Sequence, residues 1–106
     1  RVVVPVSETL NLLQKLKNFD LSYFLDWGGS LIWLELNDIS IKILNELKDI
    51  TKDHNGYFTL IKVEEDMKAA ADIFTIDPIK YKISEKIKKS FDPRRIFNPG
   101  KMYTGI

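Results

Sequence analysis

The residues of this chain best suited to chemistry gather near its end. Phe91-Asp92-Pro93-Arg94-Arg95-Ile96-Phe97-Asn98-Pro99-Gly100-Lys101-Met102-Tyr103 follows a helix-like run. Pro93 disfavours helical geometry at Asp92, so a helix should stop there. Pro93, Arg94 and Arg95 suit one tight turn, with Ile96 and Phe97 as its apolar anchor. Asn98-Pro99-Gly100-Lys101 reads as a second turn. Pro99 fixes its first central position and Gly100 supplies the positive φ that a type II turn needs at the next. Two stiff turns would hold Asn98 in a defined place, where its amide offers both donors and acceptors. Lys101 has two readings, a partner for an anion or a surface lysine.

The remaining candidates point to structure rather than chemistry. His54 is the sole histidine. It falls at a helix end, where the dipole favours a cation. Without a second histidine, a cysteine or clustered carboxylates beside it, a structural role is expected and a metal site is not. Glu64-Glu65-Asp66 lacks the spaced loop pattern of a calcium site and reads as a solvated helix start. Gly28-Gly29 sits between two strand-like runs, so it is a hairpin turn and not a phosphate loop.

The elements that must position these residues follow from apolar spacing. Val2-Val3-Val4-Pro5-Val6 is a β-branched first strand. Ser7 is the expected cap of a first helix whose apolar face carries Leu10, Leu12, Leu13 and Leu16. Leu21 to Trp27 alternates as a second strand, and Ser30 to Leu36 as a third. Asn37 or Asp38 should cap a second helix with Ile39, Ile43, Leu47 and Ile50 inward, ended by Asn55 and a left-handed Gly56. Tyr57 to Glu64 reads as a fourth strand, Glu65 to Ala71 as a short helix or ordered loop, and Asp72 to Ile76 as extended chain. Asp77-Pro78 starts a last helix with Ile79, Ile83 and Ile87 facing inward and five lysines mostly away from them. The order β-α-β-β-α-β is the ferredoxin-like one. The fold class is therefore α+β, an antiparallel sheet with two helices on one face, followed by a C-terminal helix and docked tail. One domain is expected over residues 1–106, with a core at 1–64 and the helix and tail at 65–106.

Composition narrows the function classes. The 106 residues are 44% hydrophobic and 29% charged, as in ordinary globular domains, and suffice for one modest core. A formal charge of +1 gives no field for nucleic acid. The third strand also lacks the basic and aromatic pattern of an RNA-recognition motif. No apolar run approaches the roughly 20 residues that span a bilayer. The absence of cysteine excludes disulfides and thiolate catalysis. The sequence opens with Arg1 directly before an apolar strand and without an initiator methionine. The expectation is a domain excised from a longer protein.

The pattern F-D-P-x-x-x-F-N-P-G-[KR]-x-Y in residues 91–103 resembles the C-terminal signature of FAD-linked oxidases of the vanillyl-alcohol oxidase type, nearest to the FAD-binding subunit of bacterial glycolate oxidase. It spans about an eighth of the chain. The resemblance implies a C-terminal domain that covers the flavin ring and helps form the substrate pocket, while a missing N-terminal domain binds FAD. It implies Asn98 as the flavin-side contact, a 2-hydroxy-acid substrate such as glycolate, other glycolate oxidase subunits as partners, and hydride transfer to flavin. The chain alone would be inactive. The His-containing metal motif of related metal-dependent 2-hydroxy-acid dehydrogenases has no counterpart here. A cytoplasmic location is implied, with any membrane association through partner subunits. Arg1 and Trp33 are left open as substrate-side residues. The rival reading is a free-standing ferredoxin-like interaction or regulatory module.

Overall fold

A computed structural model describes residues 1–68, 71–101, 103, 105 and 106. Strands β1 (Val2–Val3), β2 (Leu21–Asp26), β3 (Leu31–Leu36) and β4 (Tyr57–Phe58) form one sheet in the order β2-β3-β1-β4, and every neighbouring pair is antiparallel. Helices α1 (Val6–Leu16) and α2 (Ile41–Asp53) complete the β-α-β-β-α-β order. This is the expected α+β, ferredoxin-like arrangement. Helices α3 (Glu65–Lys68) and α4 (Pro78–Phe91) follow.

The core is built where β1, β3 and β4 meet the two helices. Val2, Val4, Ile32 and Phe58 pack with Leu12, Leu16, Leu44 and Leu47. Ile39, Ile43 and Ile50 close its margin half-buried. Leu10, expected inward, is exposed, and Thr9 takes an inward place on α1. Its hydroxyl donates to Gly29 O at 2.6 Å, which ties the helix to the hairpin.

Local starts and stops differ from expectation in instructive ways. Pro5, not Ser7, occupies the cap position of α1, with φ −55° and ψ 138°, so the helix begins with no side-chain cap. A proline ring presets this φ and has no N–H to satisfy. Helix α2 is capped by Ser40, which accepts from Ile43 N at 3.2 Å, rather than by Asn37 or Asp38. The left-handed residue that ends it is Asn55 (φ 56°). Gly56 serves a different purpose: a Cβ there would lie 2.5 Å from Val4 Cγ1 and 2.9 Å from Val3 O. The β2–β3 hairpin turns through a 3-10 turn at Trp27–Gly29 instead of a two-residue loop, with Asp26 opposite Leu31.

Strand β4 is shorter than its apolar pattern suggests. Beyond Phe58 the chain pairs with the 73–75 segment: Leu60 N donates to Ile73 O at 2.7 Å and Thr75 N to Phe58 O at 3.2 Å. Helix α4 starts as expected, with Asp77 Oδ1 accepting from Ile79 N at 2.8 Å and Pro78 in the first turn. It then stands off the core. None of its residues is buried, and Ile79, Ile83 and Ile87, expected inward, are exposed. The radius of gyration, 15.2 Å, reflects this elongation, since a globule of this length has about 13 Å.

Candidate functional site

The tail is organised by one carboxylate. Asp92 ends α4, as Pro93 requires, and is buried. Its Oδ1 accepts from Ile96 N and its Oδ2 from Phe97 N, both at 2.9 Å. Lys88, one turn back, closes an ion pair with Oδ2 at 2.8 Å and donates to Phe97 O. The Lys88 ammonium, assisted by the two backbone N–H groups and opposed by burial, holds the Asp92 carboxyl down at about 2.

Asp92, not Ile96 and Phe97, is therefore the anchor. Those two side chains were expected to clamp the turn and are exposed instead. Sequence reasoning used Asp92 only as a helix stop. Its signal was present: an Asp followed at four and five residues by free N–H groups, with a lysine four residues before it.

The second turn forms as expected. Lys101 N donates to Asn98 O at 3.3 Å, and Gly100 has φ 68°. Asn98 itself is left-handed (φ 46°) and exposed. Gly100 N donates to Ile106 O at 2.7 Å, so the end of the chain folds back on the turn. Tyr103 reaches Phe74 and Tyr81, with ring centroids 5.9 and 6.3 Å apart. Asn98 and Lys101 line an open apolar groove with Ile87, Phe91, Phe97 and Tyr103. The exposed stripe Ile79–Ile83–Ile87–Phe91 leads along α4 into it.

Arg1 and Trp33 lie elsewhere. They line a second groove, beside β3 and residues 58–64, that shares no lining residue with the first. The Arg1 amine donates to Thr59 O at 2.9 Å and its Nη2 to Thr59 Oγ1 at 3.3 Å. Trp33 stacks on Phe24 at 6.0 Å. The four sequence candidates thus separate into two pairs, Asn98 with Lys101 and Arg1 with Trp33.

His54 Nδ1 meets Glu8 Oε2 at 3.2 Å and joins the end of α2 to the first turn of α1. Among the described residues no group of three or more His, Cys, Asp or Glu is placed to hold a metal ion. Glu65 and Asp66 lie in the exposed first turn of α3. Among the described residues no helix is long and apolar enough to cross a membrane. Comparison with family models, with characterised proteins and with solved structures returns no match to this chain.

Proposed function

We propose that this chain is the C-terminal domain of a larger FAD-linked oxidase resembling the FAD-binding subunit of glycolate oxidase. The whole protein would oxidise glycolate or a similar 2-hydroxy acid in the cytoplasm, with membrane association only through partner subunits. The observation that carries the reading is the tail: the Asp92 clamp holds Ile96 and Phe97, directly before the Asn98–Lys101 turn, at the end of an exposed apolar stripe on α4. An exposed stripe of this kind marks a surface that another body covers, and the occupant we assign is the FAD-binding domain.

The side chains present suit one edge of a flavin ring. The Asn98 amide complements a donor and acceptor edge, and Lys101 suits an anion. Gly28-Gly29 forms the β2–β3 turn and is not a phosphate loop. When bound, the flavin supplies the hydride acceptor. This chain's own contribution is to orient the ring edge and to exclude water along the groove.

The test is to express the complete reading frame and measure flavin absorbance and its bleaching by glycolate. A yellow protein bleached by a 2-hydroxy acid supports the reading. So does Asn98→Ala, if it loses FAD while the thermal unfolding of this domain is unchanged. A colourless complete protein overturns it. The rival, a free-standing interaction module, draws on a separate observation, the exposed apolar strand β2.

A further inference from the structure

Strand β2 ends the sheet, and its outer edge has no strand beside it among the described residues. Natural edges are usually blunted by lysine, proline, a bulge, or shortness. Here none of these is present. β2 is six residues long, pairs with β3 without a bulge, and lies in a stretch, residues 18–41, that contains no lysine, arginine or proline. Tyr23, Phe24 and Leu25 are exposed. No residue of β2 is among the fully buried core, and Leu21 packs against that core only partly buried.

We propose that β2 pairs antiparallel with β2 of a second copy of this chain, about a twofold axis at Phe24. This inference is independent of any flavin chemistry. The choice of partner and register follows from hydrogen-bond parity and charge. Asn37 N donates to Asp20 O at 3.2 Å, and the register pairs Leu21 with Leu36. Even-numbered residues of β2 therefore direct their N–H and C=O toward β3, and Leu21, Tyr23 and Leu25 direct theirs to the free edge. A twofold pairing that satisfies these groups must match odd with odd residues, so its axis passes through a residue.

An axis at Tyr23 sets Asp20 against Asp26 of the other copy, like charges directly opposite. An axis at Leu25 sets Asp26 against Phe24. An axis at Phe24 avoids both. Tyr23 then exchanges backbone hydrogen bonds with Leu25 of the second copy, and Ser22 meets Asp26, a hydroxyl against a carboxylate. Phe24 meets its own counterpart at a non-hydrogen-bonded position, where side chains are closest. Since Trp33 already stacks on Phe24, the joint sheet carries an aromatic row of Trp33, Phe24, Phe24 and Trp33 across the axis. Both helix layers fall on the same side, and the interface is isologous and closed.

Sedimentation equilibrium of the native chain should give twice the monomer mass. Leu25→Pro removes one outward N–H and no ladder bond within the sheet. It should sediment as a monomer with an unchanged circular dichroism spectrum. Phe24→Cys, in a chain with no other cysteine, should form a covalent dimer with diamide. A non-hydrogen-bonded antiparallel pair has Cα atoms about 4.5 Å apart, inside the roughly 4.4–6.8 Å span of a disulfide. Ser22→Cys, which faces Asp26, should not crosslink. A native chain that stays monomeric at millimolar concentration overturns the proposal and leaves the edge to another protein. A dimer in which Phe24→Cys fails to crosslink, or Ser22→Cys crosslinks equally well, overturns the register. If Leu25→Pro does not fold, the two cysteine variants decide.

Discussion

The two edges of the sheet are handled in opposite ways. Strand β4 forms only two residues of ladder with β1, yet its outer side is covered. Thr59 bridges Phe74, Thr75 bonds Phe58 through both its N–H and its hydroxyl, and the Lys80 ammonium sits 5.7 Å from the centre of the Tyr57 ring. Strand β2 is three times as long, and among the described residues no strand lies beside its outer edge. Each edge strand carries one phenylalanine, and their exposures state the contrast: 4% for Phe58 and 61% for Phe24. Strand length, then, does not decide which edge is secure. Cover does, and here cover comes from residues 73–75 and from Lys80 of α4, outside the ferredoxin-like core.

That contrast is testable first at the two phenylalanines. Phe58→Ala empties a core position and should cost about 3–5 kcal/mol in denaturant unfolding. Phe24→Ala loses only the stack on Trp33 and should cost the monomer about 0.2–1 kcal/mol, measured at a concentration low enough to keep chains apart. Similar losses at both positions would break the comparison. Next in size is Gly56→Ala. The added Cβ would press on Val4, Thr51 and the Val3 carbonyl, an overpacking that costs about 1–3 kcal/mol. Gly28 and Gly29 have open space around their Cβ positions, so alanine there meets only the left-handed backbone, at about 1–2 kcal/mol.

Thr75→Val removes the hydroxyl that accepts from Phe58 N at 3.2 Å. It should cost about 1–3 kcal/mol and speed amide exchange at Phe58, with no change at Tyr23 and Leu25. The smallest effect is expected from acid. The Asp92 carboxyl is held at about 2 in the fold, below its ordinary value of 3.8. Its contribution is present above the ordinary value and is lost as pH falls through about 2. Backbone resonances of Ile96 and Phe97 should shift over that range, while those of β2, none of whose residues bonds Asp92, should not follow them.

Much of this fold was legible in the sequence, and the failures share a cause. The β-α-β-β-α-β order, the Asp77-Pro78 start of α4 and the Asn98–Lys101 turn all depend on neighbours a few residues away. Ile79, Ile83 and Ile87 have helical spacing too, and that spacing shows that a face is apolar without showing what lies against it. The same holds for Ile96 and Phe97. The pattern at Tyr57 to Glu64 is that of a strand, and that pattern does not show that Leu60 takes its partner from Ile73, on the side away from β1. Asn98 illustrates the limit at the candidate site. Its turn is readable from Pro99 and Gly100, and the Asp92 carboxylate that holds the preceding turn is local too, four and five residues from the N–H groups it accepts from; neither pattern shows what the exposed Asn98 amide faces.

The placement of the indole rings has a practical consequence. The chain has two tryptophans; Trp27 lies in the turn after β2, and Trp33 on β3 against Phe24. Tryptophan emission, excited selectively over tyrosine, is therefore a local optical probe of one sheet margin. An unfolding curve followed by that emission reads the β2–β3 hairpin, and a tail that peels away from α4 leaves the signal unmoved.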